Sequence, residues 1–167
     1  MVDFTRSIED KLKAYSQPLV SGNVKVGFLG NHFSDKGISY AAIATWNEFG
    51  VKASGKPCEF YAGDELIQMY HAGMPARPFF STMINKEKGT WADKLASMLK
   101  ANHDTLKSLQ NIGDNIKGSL RESIIGWAEP PNAPLTVKKK GKNDPLVDTG
   151  YMGNTAIEVK VEKGLSK

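Results

Sequence analysis

A stripe of apolar residues, Leu106, Leu109, Ile112, Ile116, Leu120, Ile124 and Trp127, recurs every three or four positions over about six helical turns. No other feature limits the fold so strongly, because a helix that long with one apolar face needs a broad apolar partner. Two segments of the opposite periodicity supply one. Val24, Val26 and Phe28 alternate along one face, as do Ile157, Val159 and Val161, with Glu158, Lys160 and Glu162 turned outward. They lie near opposite ends of the chain and are expected to share a sheet. The fold predicted is α+β: a small, mostly antiparallel sheet packed against two or more helices, with one long central helix at about 104–127. Gly113 and Gly118 each weaken that helix by about 1 kcal/mol relative to Ala. Close packing of another element against their side is the expected compensation.

The remaining punctuation divides the chain further. Phe4, Ile8, Leu12 and Tyr15 form a helical stripe before Pro18 and Gly22. Ser39 is an N-cap for a helix that carries Ala42, Ile43, Trp46 and Phe49 inward, and Gly50 stops it in a left-handed conformation. Thr90 with Asp93 signals the start of a helix bearing Trp91, Leu95, Met98 and Leu99, which the stretch after Pro78 extends on its N-terminal side. Pro130, Pro131 and Pro134 end the long helix, and Lys138–Lys142 reads as a solvated loop. Residues 51–75, rich in Gly and Pro, make a long excursion, either a hairpin or an extended arm, with a helical turn near Glu65–Met69. All 167 residues fit a single domain, 1–167.

Several chemistries find no support. No apolar run approaches the roughly 20 residues that cross a bilayer. Residues 1–6 lack the basic start and apolar run of a secretory signal, so synthesis in the cytoplasm and no membrane partner are expected. Cys58 is the only cysteine and reads as a partly buried free thiol, while His32, His71 and His103 lack the spacing of a zinc site. Gly27, Gly30 and Gly37 match no nucleotide fingerprint, and nothing supplies a nucleophile elbow. Neither metal nor cofactor is expected. A net charge of +4 permits contact with DNA or an acidic partner without requiring it.

Three motifs remain. Asp148-Thr149-Gly150 matches the tripeptide of aspartic proteases, which need two carboxylates sharing a proton. Only Tyr151–Lys167 follow it, too few for the strands of that fold. A cap-and-turn role for Asp148 or Thr149, with a tight bend at Gly150, fits better. In Pro75-Ala76-Arg77-Pro78-Phe79-Phe80, the prolines hold the backbone extended around Arg77, and Phe79 and Phe80 anchor a helix start. Arg77 is either an incidental exposed charge or a fixed contact to a carboxylate of a neighbouring subunit. Lys138, Lys139, Lys140 and Lys142 are either a solvated loop or a salt-sensitive contact to DNA phosphates or an acidic partner.

Taken in order, Trp46-Asn47-Glu48-Phe49-Gly50, Pro75-Ala76-Arg77-Pro78-Phe79-Phe80, Trp127, Pro131-Asn132, Thr136, Lys140-Gly141 and Pro145-Leu146-Val147-Asp148-Thr149-Gly150-Tyr151-Met152 span roughly residues 24–161. This series resembles the tail-completion (neck, virion-morphogenesis) proteins of long-tailed DNA bacteriophages. The connector between the first two blocks, 51–74, is longer than that family's. The resemblance implies a non-enzymatic virion protein, assembled in the host cytoplasm, that forms a homo-oligomeric ring, a hexamer, at the head–tail junction. Its partners would be head connector and tail tube proteins, with DNA passing through the lumen. Arg77, Phe79, Phe80 and the four lysines are the interaction candidates. The rival readings are a dimeric retroviral-type aspartic protease and a small basic DNA-associated protein.

Overall fold

A computed structural model describes residues 20–53, 55, 57–62, 65–70 and 73–164, with 57–62 and 65–70 described by their backbone. The stripe at 4–15, His71 and the side chains of Cys58, Phe60 and Tyr61 lie outside the described residues. Strand β1 (Gly22–Gly27) pairs antiparallel with β4 (Glu158–Lys163), placing Val24 opposite Val161 and Val26 opposite Val159. Between them in sequence come α1 (Tyr40–Phe49), the hairpin β2 (Pro57–Ala62) and β3 (Glu65–Tyr70), α2 (Phe79–Asn102), α3 (Thr105–Ile125), α4 (Pro134–Lys140) and α5 (Tyr151–Asn154). The fold is α+β, as the two periodicities require.

Helix α3 lies across the β1–β4 ribbon and beside α2. Gly113 is what lets it approach. A Cβ at that position would stand 2.8 Å from Val24 Cγ2 and nearer still to Val159 Cγ1, so the helix accepts the propensity cost of glycine to bring its axis down onto the sheet. Gly118 differs from expectation: a Cβ there would meet nothing within 4 Å. Phe79, Met83, Leu120, Ile124 and Ile157 form the buried centre where α2, α3 and the sheet converge. Each large side chain sealed there contributes about 1.5–3 kcal/mol.

The α2–α3 turn is built locally. His103 takes a left-handed conformation and its N–H returns to Leu99 O at 2.9 Å. Asp104 then caps α3 by accepting from the Lys107 amide at 3.1 Å. A second polar tie fixes the loop after β1. His32 bonds Glu158 of β4 at 2.8 Å and the Tyr151 hydroxyl at 3.1 Å, and Tyr151 stacks on Tyr40.

Five local expectations are corrected. The stretch after Pro78 does extend the helix, but Thr90 caps nothing: α2 runs unbroken from Phe79, and the Thr90 hydroxyl donates to Glu87 O within it. Glu65–Met69 belongs to strand β3, not a helical turn, because it pairs with β2 through 57–70. Pro134 opens a helix instead of closing one, since its missing N–H is harmless in a first turn. The lysine tract is therefore the last turn of α4 and its Gly141 cap, not an irregular loop. Finally, α1 buries Ala44 and Glu48, while Trp46 and Phe49 face outward at 45% and 75% exposure. Ser39 does cap that helix, accepting from the Ala42 amide. Among the described residues, no helix is long and apolar enough to cross a membrane.

Candidate functional site

Gly50 ends α1 with φ of 72°, and a Cβ there would stand 2.7 Å from Met74 O. Only glycine combines that backbone with that approach. The chain then leaves through Val51, forms the β2–β3 hairpin and returns at Met74, where Val51 and Met74 exchange both backbone hydrogen bonds. The excursion at 51–75 is thus a hairpin closed at its base. From Met74 the segment Pro75–Pro78 runs past the end of α1, and the Arg77 amide donates to Asn47 O at 2.6 Å.

Two buried charges meet at this crossing. Helix α2 begins at Pro78-Phe79-Phe80 without a capping side chain of its own. Glu48 supplies it from α1: its carboxylate accepts from the Phe80 amide at 2.9 Å, the Ser81 amide at 3.0 Å and the Ser81 hydroxyl. An anion at a helix N-terminus satisfies exposed amides and faces the positive end of the dipole. Arg77, only 5% exposed, points the other way. Its Nε–H donates to Pro130 O at 3.0 Å, its Nη2 to Pro131 O at 3.1 Å and its Nη1 to Asn47 Oδ1 at 3.3 Å. The reading of Arg77 as an incidental exposed charge is corrected. The side chain is instead turned inward, clamping the 130–131 turn to α1. Burial holds the guanidinium below its ordinary pKa, with no carboxylate opposing that shift.

Phe79 is the buried helix-start anchor the sequence predicted, at 1% exposure. Phe80 is half-buried, edge-on to Phe79, and lines an apolar groove of about 390 Å³ with Val26, Leu29, Ala41 and Phe49. The lysines separate. Lys138 and Lys139 are exposed on α4, and Lys142 pairs with Asp144 at 3.2 Å. Lys140 is half-buried and donates to Asp144 O at 2.8 Å. Burial lowers its pKa, partly opposed by Asp148. Asp148-Thr149-Gly150 makes the turn into α5, with the Tyr151 amide donating to Thr149 Oγ1 and Gly150 at φ 80°.

An open cleft of about 930 Å³ joins these parts, walled by Arg77, Asn132, Lys139, Lys140 and Asp148. Sequence reasoning missed Glu48 and Asn132. A signal for Glu48 existed: a helix starting Pro-Phe-Phe has no cap within reach, so a distant acceptor is required. Asn132 had none. No protein-family model matches this chain, and no curated protein or solved structure matches it either.

Proposed function

We propose that this chain is a structural protein of the phage head–tail junction. It assembles as a ring, a hexamer, that completes the tail tube and joins it to the head connector, with DNA passing through the lumen. The observation that carries this reading is the convergence of the motif blocks. Asn47-Glu48, Arg77-Pro78-Phe79-Phe80 and Pro130-Pro131-Asn132 are far apart in sequence, yet they lock one another at a single crossing. Three of the blocks on which the resemblance rests are therefore parts of one device, held together by hydrogen bonds from Glu48 and Arg77. Residues of the same blocks face outward beside it.

Trp46 and Phe49 put large apolar surface on the outer side of α1, next to the groove lined by Phe80. Aromatic surface of this kind marks protein contacts. In the described residues β1 and β4 pair only with each other, so each offers an edge to a neighbouring chain. A head-to-tail contact repeated by rotation closes a ring in which every subunit has two neighbours. The β2–β3 hairpin is the element suited to reach one of them.

Light scattering on the purified chain tests the reading. The expected result is a discrete oligomer that Phe49→Asp returns to monomer while circular dichroism is unchanged. A monomer at every concentration, or an oligomer indifferent to Phe49→Asp, would refute it.

A further inference from the structure

We infer that the cleft between Arg77, Asn132 and α4 binds a carboxylate side chain presented by an adjoining protein subunit. This deepens the ring reading, on which the identity of the subunit rests, by naming the chemistry of the contact. Two independent observations lead there.

The first is the uncompensated Arg77. A guanidinium offers five N–H donors. Three are used, and all three acceptors are neutral oxygens. No carboxylate forms an ion pair with Arg77 among the described residues. A buried cation is ordinarily matched by an anion, because desolvation removes the stabilisation that water gave it. Glu48, next in sequence to the Asn47 that Arg77 bonds, shows the complete arrangement, with three donors on one carboxylate. Arg77 keeps two donors and its charge without an anionic counterpart among the described residues.

The second observation is Asn132. Its backbone N–H is satisfied by Asn143 Oδ1 at 2.9 Å, but its side-chain Nδ2 is buried with no acceptor among the described residues. Buried amide donors are rarely left this way. Asn132 lines the same cleft as Arg77, together with Lys139 and Lys140; Asp148, the one acid in that wall among the described residues, acts on Lys140 through its charge and forms no ion pair with Arg77. Unused donors and surplus positive charge thus converge on one space that no anion of the described residues fills.

The shape of the site selects the ligand. A planar carboxylate takes two parallel N–H bonds from a guanidinium. A Glu or Asp side chain on its flexible stem can reach a recessed Arg. A duplex phosphate, set between sugars on a wide rigid cylinder, calls for cations that stand proud of the surface. Arg77 does not.

Calorimetric titration of the full chain at low salt, with hexaglutamate peptide, a short DNA duplex and inorganic phosphate as separate probes, tests the assignment. Arg77→Ala would remove a clamp as well as a ligand, so the decisive variant is Asn132→Asp, which sets a carboxylate inside the cleft. Hexaglutamate should bind saturably, and Asn132→Asp should weaken it roughly tenfold while raising Tm. Changing Lys138 and Lys142, which do not line the cleft, to Ser should alter the affinity by no more than about twofold. Equal binding by Asn132→Asp, loss of binding with the Lys138/Lys142 pair, or binding of duplex or phosphate but not peptide would each overturn the proposal. Rings that form from a chain that ignores the peptide refute the cleft alone. A chain that binds the peptide and never assembles refutes the ring alone.

Discussion

The seam between α3 and the β1–β4 ribbon and the crossing between α1 and α2 hold the molecule together by opposite means. At the seam, contact depends on shape: Gly113 brings a helix onto Val24 and Val159, and Leu120, Ile124 and Ile157 fill what remains. At the crossing, Glu48 and Arg77 satisfy backbone groups of segments distant in sequence. Apolar burial is tolerant of direction, so it can assemble a body. Charged hydrogen bonds fix angles, and so can set where the hairpin and the outward aromatics point. If this division is right, the two regions should fail differently.

The largest effect should come from the seam. Leu120→Ala is expected to cost about 2–5 kcal/mol, because a fully buried side chain leaves a cavity in a junction braced on three sides. Urea unfolding measures it, and a loss below about 1 kcal/mol would show that the site collapses freely. Glu48→Ala should follow, at roughly 3 kcal/mol, since it strands two amides and a hydroxyl at the start of α2. Its signature should be local: amide exchange at Phe80 and Ser81 should quicken more than exchange in α3. Uniform acceleration would mean that the crossing is not a separate region.

Glycine substitutions sharpen the contrast within one helix. Gly113→Ala should destabilise by about 1–3 kcal/mol through overpacking against two valines. Gly118→Ala, with open space around it, should stabilise by about 0.5–1 kcal/mol through propensity alone. Equal signs for the pair would contradict the close approach at Gly113. The smallest effect belongs to the exposed Lys25–Glu162 pair across the ribbon. The Lys25 hydrogen bond and charge hold the Glu162 carboxyl below its ordinary value. The pair's contribution is therefore present at neutral pH and lost as pH falls through that lowered value. Lys25→Met should leave neutral stability nearly unchanged and slightly flatten the acid limb of a pH–stability curve; a steeper limb would reverse the assignment.

The seam was legible in the sequence and the crossing was not, and the reason is physical. Burial leaves a period. The spacing from Leu109 to Ile124 and the alternation at 24–28 and 157–161 announced a helix on a sheet that the two segments share, and even Gly113 could be read as a close approach. Polar locks leave no period. Glu48 and the Phe80 amide are joined across a hairpin, and Arg77 reaches carbonyls that carry no residue identity at all. Short segments misled for a related reason. Thr90 and Asp93 resemble a helix start, yet the helix passes straight through them. Trp46 and Phe49 looked like core because they are apolar at helical spacing, while Glu48 held the inward face.

The central claim is that the crossing sets outward surfaces for assembly with copies of this chain and with the proteins on either side of it. Electron microscopy of phage particles made without this chain addresses that claim most directly. The account predicts filled heads and tails that remain unjoined, or tails of abnormal length. Complete, infectious particles that contain none of it would contradict the account.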